Sequence, residues 1–277
     1  MANPAVNTIL AHMLHDETSD IQAVQTTHRL ALIDAWQIQP GEHILEIGSG
    51  QGDMLAALAY AVGPTGQVTG VDIASRDYGA PYTIGQAIDA LLATDYGPRL
   101  RVYFNRDISQ GTDFLNETHF DRVVLAHSLW YFDSLAQLAE TLRVAKALSS
   151  EILLAEWDLE MTAAAQQNHY IAASVQGQLR LFSPHSKANI RTLITKPQVN
   201  DLARQLQLTV ADQGVVVDPA MQDGQWEVSY VQSAFTPDKV INRGASPEIA
   251  TFLTDQVALI HGRTVPLNTF WFRLQDH

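Results

Sequence analysis

Residues 43–62, HILEIGSGQGDMLAALAYAV, constrain the fold of this chain more than any other segment. A short apolar run, HILEI, ends in three glycines at alternate positions, Gly48, Gly50 and Gly52, and a helical pattern begins at Asp53. Strand, glycine turn and helix in that order form the opening half of a parallel crossover unit. Glycine suits the turn because the backbone there needs φ angles that side chains resist. In an open α/β sheet such a turn lies beyond the carboxyl end of its strand, where main chain can come against a ligand.

The same alternation continues along the chain. QVTGVDI (67–73), LRVYF (100–104), FDRVVLAH (120–127) and EILLAEW (151–157) read as further strands. Helical patterns cover 53–62, 83–94 and 135–148, the first of them ended by Gly63-Pro64-Thr65-Gly66. Two helices come before the first strand, at 5–15 and 20–36. The second carries Val24, Leu30, Leu32, Ile33 and Trp36 along one side, with Ser19 as its expected N-cap. Short strands alternating with helices predict an α/β, doubly wound parallel sheet of Rossmann-like type. After Asp158 the order changes: helix over 161–182, loop over 183–197, helix over 197–206, strand over 208–217, helices over 226–235 and 246–261, and a last strand, NTFWFRL, at 268–274. The chain is therefore read as a single domain, with an N-terminal helical cap (1–36), a cofactor-binding core (37–158), a cap insertion (159–196) and a C-terminal part of the sheet (197–277). Both cap segments are expected to cover the ligand edge.

Charge narrows the partners. The chain has 17 basic and 30 acidic side chains, a formal net charge of −13. Such a surface gains nothing from counterion release on DNA or RNA and is not drawn to anionic lipid, so neither nucleic acid nor membrane is an expected partner. No apolar stretch reaches membrane-spanning length, and the N-terminus lacks the pattern of a signal peptide. There are no cysteines, which removes disulfides, thiolate zinc sites and cysteine nucleophiles together. A cytoplasmic location is the expectation, and a homodimer is compatible with the sequence. His12 and His15 stand one helical turn apart, but no set with known ligand spacing completes a site around them, and no metal is expected.

The acids beside the glycines indicate the ligand. The spacing is Gly-x-Gly-x-Gly, not the Gly-x-Gly-x-x-Gly of dinucleotide binders. Glu46 precedes the loop, where a carboxylate would repel a pyrophosphate and attract an ammonium group. Asp72 ends the second strand, a position from which an acid commonly takes both hydroxyls of a ribose. Asp107, in NRDI after the third strand, can accept from the exocyclic amine of adenine. An ammonium, a ribose and an adenine without phosphates describe S-adenosylmethionine.

The runs PGEHILEIGSGQG, VGPTGQVTGVDI and NRDI, in that order, resemble the class I S-adenosylmethionine-dependent methyltransferases, and the likeness covers residues 39–158. The resemblance implies a seven-stranded sheet with its last strand antiparallel, which suits 208–217 and 268–274. It implies that Glu46, Gly48 and Gly50 line the methionine end of the cofactor, that Asp72 meets the ribose, and that Asp107 and Ile108 lie near adenine; Ser49, Gly52 and Ile73 are further expected cofactor contacts. The segment 73–99 is longer than the general pattern, and DYGAPYTIG within it has no counterpart there. HFDRVVLAHSLWYF and ANIRTLIT also resemble a bacterial subgroup labelled cyclopropane-fatty-acid-synthase-like. Cyclopropane synthases share a bicarbonate site that includes a cysteine, which this chain lacks.

Methyl transfer is an in-line displacement at carbon in which alignment supplies much of the rate. His127, after the fourth strand, is the candidate base, or else a wall of the cofactor site. Glu156 and Asp158 end the fifth strand and can hold a substrate amine or a metal, or cap nearby backbone, and Glu156 stands with His127 as a catalytic candidate. Trp130 and Tyr131 come just after His127 and can stack on an aromatic acceptor or fill the core. Tyr82, with Tyr78, lies in the unusual loop and is an expected acceptor contact. In the cap insertion His169, Tyr170, His185 and Arg191 are the polar candidates; Arg191 can clamp a carboxylate. The expected function is methyl transfer to a small-molecule acceptor. Non-methyl chemistry on the same cofactor, or cofactor binding without turnover, are the alternatives.

Overall fold

The computed structural model describes residues 3–183 and 190–276. Helices α1 (Pro4–Leu10) and α2 (Ile21–Trp36) lead into β1 (His43–Ile47), and α3 (Asp53–Val62) follows the glycine turn. Then come β2 (Gln67–Val71), α4 (Ile84–Leu92), β3 (Leu100–Tyr103), β4 (Arg122–Ala126), α5 (Leu135–Leu148) and β5 (Glu151–Trp157). The remainder is α6 (Gln167–Phe182), α7 (Lys196–Gln205), β6 (Thr209–Val216), α8 (Asp223–Ala234), α9 (Pro237–Ile241), α10 (Pro247–Ala258) and β7 (Thr269–Gln275).

The seven strands form one sheet in the order β3-β2-β1-β4-β5-β7-β6. β1 to β5 are parallel, and β7 runs antiparallel between β5 and β6, as the resemblance implied. The central strands are buried from end to end: β5 on all seven residues, β4 on four of five. This is why they read as continuous apolar runs rather than alternating ones. β6, at the edge, is exposed or half-buried throughout. One face of the sheet packs on α3, where Ala56, Ala57 and Ala59 are fully buried and let helix and strands approach closely. The other face packs on α5 and α7. Among the described residues no helix is long and apolar enough to cross a membrane.

Several boundaries differ from the sequence expectation. The first helix stops at Leu10 instead of residue 15; there the His12 and Met13 N–H groups bond three residues back, to the Ile9 and Leu10 carbonyls, and the last turn tightens. Asp20, not Ser19, holds the N-cap position of α2, although the Ser19 hydroxyl does accept from the Ile21 N–H at 3.2 Å. The largest difference lies in 197–277. That segment supplies β6 and β7, but α8, α9 and α10 between them leave the sheet and join α6 around a separate apolar cluster that includes Val175, Leu179, Val231, Phe235 and Leu253. The helical cap is thus built from two distant stretches of chain. His185 lies outside the described residues.

Candidate active site

A cavity of about 1050 Å³ opens at the carboxyl ends of β1 to β4. Four turns wall it: 47–50 after β1, 71–74 after β2, 106–108 after β3 and 126–128 after β4. Gly48 and Gly50 have φ of +82° and +50°, the left-handed region that favours glycine. They do different work. A Cβ on Gly48 would stand 2.7 Å from the Ser128 Cβ, so glycine there lets the turns after β1 and β4 touch. A Cβ on Gly50 would meet nothing within 4 Å, since it would project into open space. Gly48→Ala is therefore expected to cost about 2–3 kcal/mol of stability, from strain and overpacking together. Gly50→Ala should cost only about 1 kcal/mol, the strain alone. Urea unfolding of the two variants checks the difference; equal losses would contradict it.

The three acids expected from the sequence all line this cavity. Asp72 is fixed from both sides: Oδ2 accepts from the Gly50 N–H and Oδ1 from the Ala74 N–H, each at 2.8 Å. Its carboxylate thereby sets the glycine turn, and each oxygen keeps a lone pair for a ligand. Asp107 Oδ1 accepts from the N–H and hydroxyl of Ser109, which leaves Oδ2 for a ligand. Glu46 is 2% exposed, and its Oε2 has no hydrogen-bond partner. Burial pushes its carboxyl well above the ordinary range; Arg29 pulls the other way, and Asp53 and Asp72 raise it further. A buried acid with an orphaned oxygen is an unsatisfied group that a bound ligand can complete. Ile73, 56% exposed, and the buried Ile108 give the cavity two apolar surfaces near Asp72 and Asp107. Ser49 also lines it, with its hydroxyl unpartnered. Gly52 does not; a Cβ there would collide with Ile88 of α4.

At the β4 end the arrangement is less simple. His127 lines the cavity with φ of +50°. Its Nδ1 is buried 3.5 Å from Glu156 Oε1, and its Nε2 meets His28 Nε2 at 3.0 Å. Both ring nitrogens are thus directed into protein. His28, on α2, also contacts the Thr269 hydroxyl at 3.1 Å; burial, then His127 and Arg29, push its imidazole down to about 2. It is a neutral ring. Glu156 is 1% exposed and accepts from the Trp130 and Trp157 N–H groups, so it braces the turn after β4 rather than facing the cavity. Asp158 pairs with Lys196 at 2.8 Å.

The acceptor candidates divide. Tyr131, Tyr78 and Arg191 line the cavity, the last paired with Asp133 at 3.3 Å. Tyr82 does not; its carbonyl receives the Gln51 side chain and so anchors the 73–83 loop. His169 is fully buried under the cap, where its Nδ1 accepts from the Leu267 N–H at 2.9 Å. Among the described residues no three His, Asp or Glu side chains converge as a metal site. Sequence reading missed Arg29, Gln51, Asp53 and Met54, which line the cavity, and His28 and Thr269 behind it. The available signal was the polar content of α2: Gln25, Thr26 and His28 are buried on a helix whose other inward positions are apolar.

A family model described as a methyltransferase domain matches residues 15–211. Among curated proteins, "Methyltransferase phomM'" of Diaporthe leptostromiformis is 26% identical over 313 aligned residues, covering 89% of this chain and 80% of that protein. Among solved structures, a cyclopropane-fatty-acyl-phospholipid synthase-like protein from Lactobacillus casei ATCC 334 superposes with a TM-score of 0.91 at 41% identity, over 98% of both chains. An S-adenosylmethionine-dependent methyltransferase from Thiobacillus denitrificans, solved with S-adenosyl-L-homocysteine, shares the fold at a TM-score of 0.51 and 15% identity, over 100% of both chains.

Proposed function

The chain belongs to the methyltransferase-domain family, and from that premise we propose that it transfers the methyl group of S-adenosylmethionine to a small-molecule acceptor in the cytoplasm. The observation that carries this reading is the meeting of Glu46, Gly50, Asp72 and Asp107 in one cavity, in the order that an ammonium, a ribose and an adenine require. The fit is chemical as well as positional. The orphaned oxygen of Glu46 suits the ammonium, Asp72 the ribose hydroxyls, and the second oxygen of Asp107 the adenine amine. Ile73 and Ile108 offer apolar faces to the base. A pyrophosphate would instead meet three carboxylates.

S-adenosylmethionine supplies an already activated methyl group, so the protein's task is to align a nucleophile and exclude water. At about 1050 Å³ the cavity reaches the upper end of the roughly 300–1,000 Å³ usual for one small ligand, which leaves room for cofactor and acceptor together. Tyr131 and Arg191 stand at the β4 side and are the proposed acceptor contacts. His127 serves as a wall between the two reactants. To act as a base it would have to give up its contact with His28, since Nδ1 is buried against Glu156. Glu156 is a positioning residue that holds the turn carrying Trp130 and Tyr131.

Titration calorimetry with S-adenosylmethionine and with NAD tests the cofactor. The expected result is binding of the first and none of the second; binding of NAD alone would overturn the reading of Glu46. Incubation with S-adenosylmethionine and a pool of small acceptors should then give S-adenosylhomocysteine and a product heavier by one methyl group. Binding without turnover across chemically diverse acceptors would favour a cofactor-binding protein. A product lacking the added methyl would favour non-methyl chemistry.

A further inference from the structure

We propose that Arg29, on the N-terminal helix α2, binds the carboxylate of the cofactor's amino-acid end, so that Glu46 and Arg29 together recognise a zwitterion. The proposal rests on the S-adenosylmethionine reading above and adds a residue to it from outside the sheet.

The cavity around Glu46 is crowded with acidic side chains. Glu46, Asp53 and Asp72 all line it, and a ligand that brings a carboxylate beside its ammonium would be repelled unless a cation stood close. Three arginines line the cavity, at different ends. The Arg106 guanidinium lies 5.4 Å over the Phe114 ring, beside Asp107 and the adenine end. Arg191 pairs with Asp133 at the Tyr131 side. Arg29 is the one whose charge acts on Glu46, and it stands against Asp53, the first residue of the helix that follows the glycine turn.

The hydrogen bonding of Arg29 is incomplete in the sense a ligand requires. Nη1 is anchored by the Gln25 carbonyl at 3.0 Å and the Gln25 side-chain oxygen at 2.7 Å. Nη2 stands 3.6 Å from Asp53 Oδ2, near enough for charge attraction and too far for a hydrogen bond. Asp53 is itself engaged, since its Oδ1 accepts from the Gln22 side chain. The guanidinium is thus aimed and held from one side while Nη2 keeps donors for a carboxylate. Such a pairing in a partly desolvated site is among the stronger hydrogen-bond types. Gln25 also donates to Asp223 of α8 at 2.7 Å, so the cap helps to hold the arginine in place.

The test compares S-adenosylmethionine with its decarboxylated form, which keeps the ammonium, ribose and adenine. Calorimetry on the wild type should show S-adenosylmethionine bound about 10–100-fold more tightly, the range for hydrogen bonds to a charged group. In Arg29→Met that gap should collapse to about threefold or less, and Arg29→Lys should restore part of it. Removing the arginine also changes the charge felt by Glu46, but this affects both ligands alike and leaves the ratio untouched. Binding of the decarboxylated form by Arg29→Met shows that the variant is folded; if that variant does not fold, the same ratio is read in Arg29→Lys, where it should fall below the wild-type value. A full gap in the folded variants, or no gap in the wild type, would overturn the assignment of Arg29 alone. Failure of the wild type to bind either compound would overturn the cofactor reading and this proposal with it.

Discussion

Asp72→Ala is expected to weaken S-adenosylmethionine binding by about 1–3 kcal/mol, roughly 5–150-fold, and to lower the stability of the unliganded protein as well. The two effects come from different atoms. Binding suffers because the ribose hydroxyls lose their acceptors. Stability suffers because the N–H groups of Gly50 and Ala74, each 2.8 Å from a carboxylate oxygen, lose theirs. Orphaning donors in a half-buried turn costs about 1–3 kcal/mol. Asp72→Asn separates the contributions. Its amide oxygen can still accept from one of the two N–H groups, while its NH₂ faces the other, so stability should recover in part. It offers the ribose one acceptor instead of two, so affinity should stay depressed. Calorimetry with S-adenosylmethionine and urea unfolding, run on both variants, check this. An unchanged affinity in Asp72→Ala would remove the residue from the site.

That prediction was available from the sequence, and the reason is physical. Asp72 ends a strand that is buried on both faces, so its position at the ligand edge follows from the register of the sheet alone. Glu46 and Asp107 are legible for the same cause: each is tied to the end of a parallel strand, and parallel strands have one ligand edge. The parallel, doubly wound character of the sheet also followed, because short apolar runs alternating with helices leave few other ways to be buried. Helix-borne residues were harder. Which way a helical side chain points depends on the rotation of the helix against its neighbours, which are α1 and α3 for α2 and the cap helices α8 and α10 for α6. α6 packs on α8 and α10, from a stretch of chain some fifty to eighty residues later, and no periodicity in the sequence announces that pairing. His169 therefore read as an acceptor contact although it lies beneath the cap, and Arg29 and His28 went unnoticed although they reach the site from α2. His127 was placed correctly at the edge, but the direction of its nitrogens depends on His28 and Glu156, which only the packed structure brings together.

The buried histidines make acid sensitivity the second large effect. Burial and the neighbouring His127 push the His169 imidazole down to about 3, and His28 is held at about 2. In the unfolded chain both regain a value near 6.5. Below that value the unfolded state binds protons that the folded state refuses, so stability falls as pH falls, by about 1.4 kcal/mol per pH unit for each histidine. From pH 7 to pH 5 the loss is about 2 kcal/mol for each, or about 4 together. Glu46 works in the opposite sense, because its raised carboxyl holds a proton that the unfolded chain releases, and it offsets part of the loss. A comparison with His169→Gln cancels that contribution. Glutamine can still accept from the Leu267 N–H, so the fold is retained at some cost, but it does not titrate. The variant should be the less stable protein at pH 7, and its deficit should shrink by about 2 kcal/mol at pH 5. Urea unfolding at the two pH values measures the deficit directly. A deficit that stays constant would mean that His169 takes up its proton in the folded state, and that the cap opens to water above it.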